Sequence, residues 1–173
     1  MTHSKVHTRL VLAAATVLGA AALASTPAAV AAPMGPTGVQ ALRISGDMEI
    51  APGVHVLNIE AIGARGAGGQ TMGRYEATVL DGRNPTPIHV RGPITCIYTQ
   101  GGTASLVYPI TGTTPEVLPA AARGAAAVQI TVRKGVRGAP DHVGVMGPMA
   151  TSAFKGCQPA MTPFVFDGEI DIR

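Results

Sequence analysis

The amino-acid sequence predicts an all-β domain, an antiparallel β-barrel or β-sandwich that carries one disulfide. Three observations lead there. Apolar residues recur with period two in short runs that stop at Gly or Pro. No stretch shows βαβ alternation, an internal repeat or a heptad. The two cysteines, Cys96 and Cys157, have a single possible connectivity in a chain that opens with an export signal.

Residues 1–31 read as a secretory signal peptide. Lys5 and Arg9 make a positive n-region, Leu10 to Ala24 an apolar h-region, and Ala29-Val30-Ala31 a small-x-small cleavage site. The apolar run is shorter than the roughly 20 residues a spanning helix needs, so no membrane span is expected after cleavage. Neither cysteine directly follows the h-region, so the lipobox of an exported lipoprotein is missing. The expected location is secreted or extracytoplasmic. Removing 31 of the 173 residues leaves 142, the size of one domain.

Residues 32–40 (APMGPTGVQ) form a Pro/Gly-rich flexible lead-in, and 41–173 the single all-β domain. Val54 to Ile62 is β-rich. Arg74 to Leu80 sets Tyr75, Ala77 and Val79 on one side and Arg74, Glu76 and Thr78 on the other. Short strands follow at Ile88–Val90, Ile94–Thr99 and Ala104–Tyr108, punctuated by Gly92-Pro93 and Gly101-Gly102. Residues 115–127 have some helical character, but Pro119 and Gly124 limit them to a turn or a short helix. Ala127 to Arg133 turns Val128, Ile130 and Val132 inward and Gln129, Thr131 and Arg133 outward. Arg133 to Val145 reads as strand, Gly/Pro/Asp turn and strand, with Asp141 capping the turn. Phe164 to Ile172 closes the domain with Phe164, Phe166, Ile170 and Ile172 on its apolar side.

Composition removes several function classes. From Ala32 onward the chain carries 11 Lys+Arg against 10 Asp+Glu, so the electrostatic basis for nucleic-acid binding is missing. The cluster Arg133-Lys134 with Arg137 reads as a solvated turn. Nine Arg stand against two Lys, beside abundant Ala, Gly, Pro and Val, a bias typical of a high-GC bacterial genome. Six aromatics and no Trp leave little for the stacking platforms of sugar or single-strand binding. With no C-x-x-C and no nearby His, the cysteines read as a structural disulfide. Its long loop is worth on the order of 4 kcal/mol by chain entropy.

Four motifs suggest chemistry. The loop GARGAGGQTMG (63–73) lacks the Lys-Ser/Thr and the following helix of a phosphate loop, so it reads as a hairpin connection and a candidate recognition loop. Asp167, Glu169 and Asp171 alternate on the last strand and share one face, roughly 6.5–7 Å apart. That spacing suits a glycosidase-like carboxylate pair or part of a Ca²⁺ site, and equally the solvent face of an amphipathic strand. His55, His89 and His142 lie on separate strands without metal-ligand spacing, so no metal or other cofactor is assigned. Ser45, Ser105 and Ser152 have no G-x-S-x-G context, and no catalytic residue is assigned.

From Arg91 onward the layout resembles a group of small secreted actinobacterial β-domain proteins of uncharacterised function. The matching features are Gly92-Pro93-Ile94-Thr95-Cys96, the Gly-rich hairpin into Thr103–Val107, the strand Val128–Arg133, Cys157 and the closing Gly168–Ile172. The resemblance covers about half the chain. It implies a disulfide joining the central strand to the segment before the last strand, and it supplies no catalytic residues. The expected function is non-enzymatic: an exported β-domain that binds a small apolar ligand, an envelope component or a protein partner. Contact would come from loops 63–73 and 109–124. The alternatives are a secreted hydrolase using Asp167, Glu169 or Asp171, and a purely structural or interaction protein.

Overall fold

The computed structural model describes residues 38–173; the signal segment and most of the lead-in lie outside the described residues. Ten strands are formed there: β1 (Gln40–Ala51), β2 (Val54–Arg65), β3 (Thr71–Asp81), β4 (Asn84–Pro93), β5 (Cys96–Gln100), β6 (Thr103–Pro109), β7 (Gly112–Thr114), β8 (Ala126–Arg133), β9 (Asp141–Ala150) and β10 (Phe164–Ile172). Single 3-10 turns lie at Ala120–Ala122 and Thr151–Ala153. The first sits between Pro119 and Gly124, where a helix could not extend. Gln40, assigned to the lead-in by sequence, is instead the buried first residue of β1, paired with Arg65.

All pairings are antiparallel, in the order β5-β6-β8-β9-β10-β1-β2-β3-β4-β7. The sheet is not closed by hydrogen bonds between β5 and β7. It folds over on itself instead, packing β5 against β1 and β2, and β6 against β4. Inward-facing residues of both halves merge into one core, with Leu42, Ile44, Ile59 and Tyr75 on one side and Ile97, Leu106, Ile130 and Val132 on the other. Period-two alternation produces this directly, because one face of each strand loses its water. Truncating one of these isoleucines to alanine removes on the order of 2–5 kcal/mol.

Two details show how tightly the halves meet. The Tyr75 and Tyr108 rings stack with centroids 3.7 Å apart at 17°. Beside them a Cβ on Gly92 would lie 1.9 Å from the Pro109 carbonyl oxygen, so only glycine lets the 109–112 crossing run against β4. Thr111 N–H donates to the Arg91 carbonyl at 3.0 Å and fixes that crossing. The exposed first half of β4 carries Pro85 and Pro87, and β7 pairs only with His89–Arg91. Proline on that open edge discourages pairing with another chain.

The disulfide Cys96–Cys157 is formed, with Cα atoms 5.8 Å apart. It holds the irregular segment 154–163 over the outer face of β5, β6 and β8. Cys157, Val107 and Ala127 form a second small buried cluster there, with Cys96, Tyr98 and Phe154 packed against it. Gln129 and Thr131 do point outward, as alternation demands, yet they are buried under this segment. Gln129 Nε2 donates to Ser105 Oγ (2.9 Å) and to the Gln158 carbonyl (2.6 Å). Ala160 N–H donates to Thr131 Oγ1 at 3.0 Å. β8 is therefore covered on both faces, apolar inside and hydrogen-bonded outside. Among the described residues no helix is long and apolar enough to cross a membrane.

Candidate ligand groove

Register decides which side chains meet on the uncovered outer face of β10-β1-β2-β3-β4. One row reads Asp171, Arg43, Ile62, Arg74 and Pro93 across the five strands. The next reads Glu169, Ser45, Glu60, Glu76 and Arg91. The third reads Asp167, Asp47, Asn58, Thr78 and His89. Each residue is the outward partner of a core residue one step along its strand.

Two open clefts lie on this face. One, of about 480 Å³, is lined by Arg43, Glu60, Ile62, Arg74, Glu76 and Arg91, among others. The other, of about 380 Å³, is lined by Ala41, Arg43, Ile62, Ala64, Asp171 and Arg173, among others. Arg43 and Ile62 line both, so the two clefts adjoin across these side chains and together make up one outer-face groove. Its arginine-rich end lies over β3 and β4, and its more apolar end over β1 and β2. Ile62, 44 % exposed, stands between Arg43 and Arg74.

Most carboxylates on this face are engaged elsewhere, and Glu169 lines neither cleft. Glu60 Oε1 accepts from Ser45 Oγ at 2.7 Å. Glu76 Oε1 lies 3.3 Å from His89 Nδ1, which also sits 2.9 Å from Thr78 Oγ1. Asp171 pairs with Arg173 at 2.8 Å, and Asp167 with Arg83 at 3.1 Å. Among the described residues, no ion pair engages Arg43, Arg74 or Arg91. Three guanidinium groups thus face an open cleft without a carboxylate partner.

Asp167, Glu169 and Asp171 occupy the outward phase of β10, opposite buried Phe166 and Ile170. Only Asp171 lines either of the two clefts. The three histidines stay apart in the register: His55 opposite Glu49, His89 opposite Thr78 and Thr114, His142 opposite Arg133 and Val165. No cluster of three His, Cys, Asp or Glu suited to a metal ion occurs among the described residues. Of the two loops expected to supply contact, 63–73 is mostly strand, because Gly63 pairs with Gly73 and leaves only 66–70 as the turn. Thr111 of the 109–124 segment lines the larger cleft.

His55 is buried within β2. Its side chain is 1 % exposed, with Nδ1 3.6 Å from Asp47 Oδ2, beyond hydrogen-bond length, and neither ring nitrogen has a partner. The β1–β2 register is irregular between Met48 and Ala51, and such a bulge re-aims side chains. Asp47 Oδ1 instead accepts from Asn58 Nδ2 at 2.8 Å. Beneath the larger cleft, the Tyr75 hydroxyl is also buried without a partner. Burial, and then its neighbour Tyr108, push the Tyr75 pKa well above the usual tyrosine range. Burial raises Tyr108 in the same direction.

Sequence reading did not single out Arg43, Arg74 and Arg91. The available signal was an outward-phase arginine on alternating strands, together with the excess of Arg over Lys. No protein family, curated protein or solved structure matches this chain.

Proposed function

We propose that this chain is an exported, non-enzymatic binding domain that holds a small ligand or an envelope component along the outer face of β10-β1-β2-β3-β4. The observation that carries the reading is the pair of adjoining clefts lined by Arg43, Arg74 and Arg91 without ion-pair partners. The signal-like segment 1–31 and the Cys96–Cys157 disulfide support an oxidising, extracytoplasmic setting. Packed side chains fill the space between the two halves of the sheet, which moves ligand contact to the exterior. Asp167 and Asp171 are held in arginine pairs on an open face, which favours binding over carboxylate chemistry.

Native mass spectrometry on the secreted protein tests the reading. The expected spectrum contains an adduct that disappears on denaturation and is depleted in an Arg43→Gln/Arg74→Gln variant. An adduct retained in full by that variant would remove the groove from the proposal. A clean apo mass from culture medium would remove the small-ligand reading.

A further inference from the structure

We infer that the groove takes an amphiphilic anion: one carboxylate or phosphate headgroup held by Arg43 and Arg74 in the cleft that Arg91 borders, with an apolar chain lying over Ile62 and Ala64. This rests on the binding reading above and names its ligand class.

Adjacent strands lie about 4.7–4.9 Å apart, so Arg43 and Arg74, on either side of Ile62, have Cα atoms roughly 10 Å apart. Arg91 faces Glu76 and is therefore diagonal to Arg74, at roughly 7–8 Å. Arg43 and Arg74 can converge on one oxyanion over Ile62, while the Arg91 guanidinium, which lies over Gly112 of β7, borders the cleft from its far side. Guanidinium groups match the planar, multidentate geometry of carboxylate and phosphate oxygens better than ammonium groups do. Placed together without carboxylate partners, they also repel one another, and a bound anion relieves that repulsion.

Glu60 and Glu76 limit the charge the site accepts. With three arginines and two glutamates lining the larger cleft, the balance is one positive charge. That suits a single headgroup and disfavours a polyanion. The glutamates need not meet the headgroup, because Ser45 draws Glu60 along its own row and His89 draws Glu76 toward the third row.

From Arg43 the groove continues past Ile62 to Ala41 and Ala64. Arg173, its other cation, is already paired with Asp171. A purely polar anion would leave this end bare, and a neutral apolar molecule would leave the arginines without a partner. A molecule with one oxyanion and one apolar chain satisfies both ends.

Amide-resolved NMR titration of the secreted protein tests this with four probes: decyl phosphate, decanoate, inorganic phosphate and neutral decyl maltoside, each below its micelle concentration. Decyl phosphate or decanoate is expected to shift residues around 43, 62, 64, 74 and 91, the better of the two identifying the headgroup. Arg43→Gln/Arg74→Gln is expected to weaken that binding at least ~10-fold, while Arg133→Gln on β8 leaves it unchanged; well-dispersed spectra establish that both variants fold. Equal binding of decyl maltoside, or of inorganic phosphate, would overturn the proposal by making the arginines or the apolar end irrelevant. Shifts mapping outside the groove, or no binding of either decyl anion, would overturn it too. A neutral adduct in the native mass spectrum together with silent decyl anions would leave the binding reading standing and remove this one.

Discussion

Removing the Cys96–Cys157 disulfide by paired alanine substitution is expected to destabilise the domain by about 4–5 kcal/mol. The cysteines are 61 residues apart, so the bond closes a loop holding β5 through β9. Chain entropy for a loop of about 60 residues comes to roughly 14 cal/mol/K, or about 4 kcal/mol at 25 °C. Packing adds to this, since Cys157 is 5 % exposed against Val107 and Ala127 and Cys96 is partly buried beside them, and trimming the two side chains costs on the order of 1 kcal/mol. Equilibrium urea unfolding reads the sum. With a slope of about 2 kcal/mol/M, the midpoint falls by about 2 M. Reducing the wild-type bond keeps both sulfurs, so its shift isolates the chain-entropy part and is expected to be slightly smaller. A midpoint shift below about 0.5 M in both experiments would refute the reasoning. Gln129 and Thr131 would then be holding the 154–163 segment without help from the bond.

Four further outcomes follow. Tyr75→Phe deletes a buried hydroxyl without a partner and is expected to stabilise the domain by about 1 kcal/mol in thermal unfolding; a loss of stability would mean that the hydroxyl is satisfied. Gly92→Ala places a Cβ 1.9 Å from the Pro109 carbonyl oxygen and is expected to cost about 2–4 kcal/mol in urea unfolding. Gly66→Ala, whose Cβ approaches nothing closer than 3.6 Å, is expected to stay within about 0.5 kcal/mol of wild type. Because burial raises both Tyr75 and Tyr108, the unfolded chain releases their protons first; their contribution is complete below pH about 10 and is lost as pH rises further. Absorbance of the Tyr75 and Tyr108 phenolates is therefore expected to appear together with alkaline unfolding, and its appearance in the folded protein would contradict their burial.

The fold was legible wherever apolar and polar residues alternate without interruption. β3, the inward phase of β8 and the whole of β10 follow from alternation alone. β1 escaped notice because Gly46 interrupts Leu42, Ile44 and Met48. The inner face is completed there by a neighbour: Gly46 pairs with Gly168, and the Phe166 ring lies against the pair, 3.0 Å from where a Gly46 Cβ would be. β7 has three residues, none of them large and apolar, and exists because β4 offers it hydrogen bonds. Gln129 and Thr131 read as solvent-facing because the covering segment comes from about 30 residues later in the chain. Alternation likewise gave the outward phase of Asp167, Glu169 and Asp171. The groove was not legible for a different reason. Arg43, Ile62 and Arg74 meet only once the registers of three strands are set, and register belongs to the turns and the packed core rather than to any single segment.

The most direct test of the account is hydrogen exchange on the protein as secreted, compared with the same protein after its ligand has been stripped and the chain refolded. The groove predicts ligand-dependent protection confined to residues 41–45, 60–64, 72–76 and 90–93. Protection centred on β5, β6 and β8 would contradict it.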